Sequence, residues 1–159
     1  MICRAIAATD GIFSRRVVVT RHPEVMELCR ELDVPALLHA LPYRSDTVRL
    51  GLEALGDVDG CLFCPGDQPL LTQQTVASLA LWAKSEPDSI LRPAFEGAPG
   101  APVFFPKWTF PELKTLPTGK GGGILVQKYP RQVKLLHLTD SRELQDADTP
   151  ETLAWLARQ

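Results

Sequence analysis

The feature that most constrains this chain is a strand-then-helix pattern that repeats three times between Arg16 and Ala83. Val17-Val18-Val19, inside a strand expected over Arg16 to Thr20, is a continuous β-branched run of the kind found in parallel strands covered on both faces. His22-Pro23 ends it, and Pro23 suits the first turn of a helix whose apolar positions are Val25, Cys29 and Leu32. Ala36-Leu37-Leu38 predicts a second strand; Ser45 or Asp46 then caps a helix carrying Val48, Leu52 and Leu55 on one face. Cys61-Leu62-Phe63-Cys64 predicts a third, followed by a Thr72-capped helix with Val76, Leu79, Ala80 and Ala83 as its stripe. Alternation this regular implies an α/β fold on a parallel sheet.

Beyond Glu86-Pro87-Asp88 the rhythm weakens. Ile90-Leu91 and Val103-Phe104-Phe105 read as strands on either side of the turn-rich stretch Glu96 to Pro102. Val133 to Leu138 reads as a late strand, and Asp148-Thr149-Pro150-Glu151 starts a C-terminal helix. At 159 residues with no internal repeat, a single domain over 1–159 is expected.

Charge narrows the partners. Seventeen basic and 19 acidic residues leave a formal charge of -2, so no global basic field exists to hold a nucleic-acid backbone or an anionic membrane. Small molecules are the expected partners. No apolar run reaches the roughly 18 residues of a membrane span, and no signal-peptide pattern opens the chain, which points to the cytoplasm. Cys3, Cys29, Cys61 and Cys64 sit in apolar segments at no disulfide-rich density, which fits a reducing compartment.

Asp67 is the first candidate for chemistry. It follows the third strand directly, and ligands of open α/β sheets gather outside the carboxyl ends of strands. Pro65 and Pro69 stiffen its loop, Gly66 allows close backbone approach, and one carboxylate here could hold Mg²⁺ with phosphate oxygens completing the coordination. The alternative is an Asp that caps backbone amides in a turn. Asp146 and Asp148, spaced i, i+2, would face one side of an extended segment and offer a second carboxylate; Asp148 is equally suited to cap the C-terminal helix.

Two segments offer anion binding. Thr118-Gly119-Lys120-Gly121-Gly122-Gly123 could set backbone amides and one ammonium around a phosphate, although it departs from the P-loop pattern and a plain loop fits it as well. Arg44-Ser45-Asp46-Thr47 stands at a helix start, where Arg44 and Ser45 either meet an anion or serve as solvated and capping residues. Cys61 and Cys64 point to opposite faces of a strand and so cannot share a metal. His22, His39 and His137 lack a neighbouring nucleophile turn, which argues against a histidine-based hydrolase.

Taken together, Tyr43 to Leu52, Pro65-Gly66-Asp67-Gln68-Pro69-Leu70, Gly97 to Pro102, Gly119 to Gly123 and Asp146 to Glu151 resemble the MobA-like NTP transferase family. The resemblance is strongest to its molybdenum cofactor cytidylyltransferase and molybdenum hydroxylase accessory branch. It implies a Rossmann-like three-layer α/β/α sandwich of the nucleotide-diphospho-sugar transferase type, with a mostly parallel sheet. It implies that Asp67 is the catalytic residue and holds Mg²⁺, with Asp148 near the same centre. By the same resemblance, the loop from Gly97 through Gly100 to Pro102 helps form the pterin pocket, and Arg44, Ser45 and Lys120, candidate anion contacts from the residues themselves, are taken as part of the ligand site. CTP or another NTP and molybdopterin would be the substrates, and a homodimer or a molybdenum hydroxylase the protein partner. The pterin phosphate would attack the α-phosphorus of CTP, with pyrophosphate leaving and no protein nucleophile required.

Relatives open with a strand and a Gly-rich, Arg- and Lys-bearing phosphate loop, to which nothing before Val17 is similar. Met1 to Ala8 instead resembles the helix that follows that loop. The expectation is an N-terminally incomplete domain, or a gap filled by a partner chain or a rearranged strand, since unpaired inner strand edges cost about 1 to 3 kcal/mol per buried group. A non-catalytic pterin-binding accessory protein and a nucleotide-sugar pyrophosphorylase stand as alternatives to the cytidylyltransferase.

Overall fold

A computed structural model describes residues 1–147, 149–156 and 158. The chain divides into two compact units. The first comprises Met1–Phe13, Leu62–Phe105 and Val133–Gln159; the second comprises Ser14–Cys61 and Pro106–Gln132. No described helix is long and apolar enough to cross a membrane.

In the second unit, β1 (Val18–Thr20) pairs in parallel with β2 (Ala36–Leu38), with Val18 opposite Ala36 and Thr20 opposite Leu38. Between them runs the helix α2 (Pro23–Glu31), with Pro23 in its first turn and Cys29 fully buried on its inner side. α3 (Arg44–Leu55) follows β2 and lies against β1: a Cβ built on Gly51 would come within 3.2 Å of Val19 Cγ2. The expected cap at Ser45 or Asp46 falls two or three residues earlier. Tyr43 is the N-cap, and Asp46 reaches back from the third helical position to accept the Tyr43 N–H at 3.3 Å.

The first unit holds α1 (Ile2–Ala8), a helix as the resemblance implies, and all of a five-stranded sheet except Gly60, Cys61 and Pro106. Its strands are β3 (Gly60–Phe63), β4 (Ile90–Phe95), β5 (Ala98–Pro99), β6 (Val103–Pro106) and β7 (Val133–His137), in the order β3-β6-β4-β5, with β7 beside β4. The sheet is mixed where the alternation predicts a mostly parallel one. β4 and β7 run parallel, but β5 and β6 return antiparallel along β4 because the connections between these three strands are too short for a crossover. The tightest is the two-residue turn Glu96-Gly97, with φ of 47° and 82°, the left-handed pair that a two-residue hairpin demands.

β4 runs four residues further than the Ile90-Leu91 pair legible in the sequence. Pro93, a residue that argues against a strand interior, sits within it and contributes its carbonyl to the Gly100 N–H at 2.9 Å. α4 (Gln73–Ser85) buries Val76 and Leu79 and is capped by Thr72, whose Oγ1 accepts the Thr75 N–H at 3.1 Å. Ala8, Leu71 and Val76 form a core cluster with Ile12, Phe13 and Leu62 packed around it.

Candidate functional site

Asp67 lies in the first unit, four residues past the end of β3 and half-buried. Its loop is held at several points. The Asp67 carbonyl accepts the Ala147 N–H at 2.8 Å, and the Gln68 carbonyl accepts the Leu71 N–H at 3.4 Å. The Pro69 carbonyl accepts from Arg4 Nη1 at 3.4 Å. Gly66 passes close to α1, since a Cβ there would meet Ile2 Cδ1 at 3.1 Å. Cys64, which opens the loop, has its thiol pushed up to about 12 by burial, so it stays neutral and unreactive at physiological pH.

A turn that the sequence reading missed, Ser141–Leu144, ties this loop to the β4–β5 hairpin. Glu143 Oε2 accepts from the Thr72 N–H at 3.1 Å and from its hydroxyl at 2.8 Å. The Leu144 carbonyl receives the Gln68 amide at 3.5 Å. The Leu144 side chain covers Gly100 so closely that a Cβ there would lie 3.0 to 3.2 Å from three of its atoms. Gly100 is held in turn by Arg92, whose Nε donates to the Gly100 carbonyl at 2.9 Å and whose pKa is lowered by burial. Asp67 and Gly100 are therefore anchored to one short segment. Gly97 caps the hairpin and makes no close approach.

Asp148 lies outside the described residues. At the start of α7 (Pro150–Leu156) the Thr149 Oγ1 accepts the Thr152 N–H at 3.1 Å. Among the described residues no three His, Cys, Asp or Glu side chains are grouped to hold a metal by themselves. A metal at Asp67 would need oxygens from a ligand, which is the donor set a triphosphate supplies.

The remaining sequence-derived candidates belong to the second unit. Arg44 and Ser45 occupy the first turn of α3, Arg44 exposed and Ser45 half-buried. Gly119, with φ of 76°, and exposed Lys120 lie in the loop between α5 (Phe110–Leu113) and α6 (Gly123–Lys128). Glu112 closes that loop by accepting from Lys128 Nζ at 2.6 Å and from the Tyr129 hydroxyl. The two segments, 75 residues apart in the numbering from 44 to 119, meet: a Cβ on Gly121 would stand 2.9 Å from Arg44 Cδ. The Arg44 side-chain stem thus lies along the glycine loop, and a side chain at 121 would have to push it aside.

Beyond the carboxyl ends of β1 and β2 the second unit opens a cavity of about 530 Å³ lined by Arg21, His22, Pro23, Leu38, His39 and Ala40. His39 Nε2 lies 3.0 Å from Thr47 Oγ1 of α3, and its Nδ1 is buried with no partner among the described residues. The sequence carries the positional signal for this cavity, the carboxyl ends of two parallel strands, but each histidine looks isolated until Thr47 folds back onto His39.

Comparison with known proteins bears on what these groups do. A family model described as the MobA-like NTP transferase domain matches residues 1–133. A search of curated proteins found none that matches. Among solved structures, Rv0371c of Mycobacterium tuberculosis H37Rv in complex with manganese superposes with a TM-score of 0.81 at 18% identity, over 99% of this chain and 85% of that one. CMP:2-keto-3-deoxy-manno-octonic acid synthetase complexed with CTP gives 0.78 at 11% identity, over 99% and 87%. Molybdopterin-guanine dinucleotide biosynthesis protein A from Archaeoglobus fulgidus gives 0.68 at 15% identity, over 97% and 84%. At these identities the likeness establishes a nucleotide-diphospho-sugar transferase-like α/β fold.

Proposed function

The chain belongs to the MobA-like NTP transferase family, and on that basis we propose that it transfers CMP from CTP to molybdopterin in the cytoplasm. A nucleotidyltransferase-type domain needs positive charge and backbone amides for a triphosphate, and the observation that carries the proposal is the Arg44–Gly121 contact. Two segments singled out separately for phosphate binding come together at Arg44 and Gly121 within the second unit. Arg44 and Lys120 take up phosphate charge there, and the Ser45 hydroxyl adds a donor.

A phosphate oxygen of the pterin attacks the α-phosphorus of CTP. The new P–O bond forms as the bond to the bridging oxygen breaks, and pyrophosphate leaves with that electron pair. The attacking group brings its own nucleophile, which agrees with the absence of a nucleophile turn in the sequence. Asp67, with Asp148 as second carboxylate, would hold a divalent ion, here magnesium, that supplies charge neutralisation on the transferring group. The turn from Gly97 through Gly100 to Pro102 contacts the pterin. The manganese complex of Rv0371c supports a divalent ion, and the CTP complex of the synthetase supports the nucleotide.

The test is transfer of label from α-labelled CTP to molybdopterin in the presence of Mg²⁺, run beside an Asp67→Ala variant. A labelled dinucleotide is expected from the unaltered chain alone. Turnover of a sugar 1-phosphate or a 3-deoxy sugar acid, with the pterin untouched, would replace the acceptor. Equal rates from both proteins would remove Asp67 from the reaction.

A further inference from the structure

Gln68 follows Asp67 in the chain, and its side chain belongs to a residue only 3% exposed. Its Nε2 donates to the Leu144 carbonyl at 3.5 Å, while its Oε1 is buried with no partner among the described residues. A buried amide oxygen that receives no hydrogen bond is a standing cost, which a methionine or leucine of similar volume would not carry. Core packing alone does not explain a glutamine at this position.

What the amide does provide is a link between segments far apart in sequence. Its donor reaches the last residue of the Ser141–Leu144 turn, and that residue's side chain fixes Gly100. Three residues further, the Ala147 N–H grips the Asp67 carbonyl at 2.8 Å. Asp67 is thus held by its own carbonyl and by the side chain that follows it, both through the same stretch of chain. We propose that Gln68 is a positioning residue that, through Leu144, sets the placement of Asp67 relative to the turn carrying Gly100. Only the kinetic consequence of this inference rests on the nucleotidyltransferase reading.

Two variants test it. Gln68→Met keeps the volume and removes the donor; Gln68→Asn keeps the donor and shortens its reach by one methylene. In both, the Ala147 amide should exchange with deuterium at least about tenfold faster than in the unaltered chain, because the segment carrying it has lost its attachment beside Asp67. The Tm of Gln68→Met should hold or rise. In the CTP-dependent assay kcat should fall about tenfold while KM for CTP stays within about twofold, since ground-state nucleotide binding is untouched. Unchanged exchange at Ala147 overturns the proposal whatever the activity. So does a uniform acceleration across the unit accompanied by a lower Tm, which would make Gln68 an ordinary core residue. If the unaltered chain transfers nothing while Ala147 behaves as expected, the functional reading fails and the positioning role stands.

Discussion

Around Asp67 the backbone is held from several directions, by Ala147, by Arg4 through the next proline, and by Gln68 against Leu144. Around Arg44 the close approach is a flexible stem against a glycine, and the guanidinium has no hydrogen-bond partner among the described residues. The difference matches the demands of the chemistry proposed. A group that fixes a metal tolerates little displacement, whereas a cation that meets a triphosphate gains from being able to follow it.

The sharpest break of this comparison is Asp67→Ala. Nucleotide transfer should fall by about a thousandfold, on the scale of losing a charge-stabilising group in the transition state, while the melting temperature barely moves. A large drop in Tm would mean that Asp67 serves the fold instead. Next in size is Gly100→Val, which forces Cβ into Leu144 and should cost about 3 kcal/mol in denaturant unfolding, the upper end for overpacking.

Cys64 probes the same buried side by pH. Its thiol is raised from 9.0 to about 12 in the folded protein, so its contribution is complete below pH 9 and is lost as pH climbs towards 12, where the unfolded chain gains by ionising first. Unfolding measured at about pH 10.5 should show a loss of about 2 kcal/mol that Cys64→Ala does not share. The smallest effect is expected on the open side. Gly121→Ala meets only the far part of a flexible side chain, so stability should change by less than about 0.5 kcal/mol. KM for CTP should nevertheless rise about tenfold as Arg44 is pushed aside. Unaltered KM would detach Arg44 from nucleotide binding.

Local chemistry was legible in advance where a residue acts on its near neighbours. The Thr72 cap, the Val76 and Leu79 stripe and the proline that opens α2 could be read from spacing, and the helix from Ile2 from the family resemblance. The cap of α3 slipped because Asp46 is a good capping residue in two registers, and only the course of the chain before Tyr43 selects between them. Pro93 hid the length of β4, since its missing N–H is harmless only once the neighbouring strands are known. The site was legible as separate segments and not as an arrangement. Gln68 meets Leu144 across 76 residues, and Arg44 meets Gly121 across a similar span; no periodicity or spacing rule reports either contact.

The meeting of Gly100 with Leu144 also bears on how such a chain diverges. Either position can gain volume only if the other gives it up, so a sequence that acquires an alanine at 100 survives best if 144 has already become smaller. The two sites would then drift as a linked pair, and a change of acceptor built on the Gly97 turn would leave its trace in a residue that never touches the acceptor.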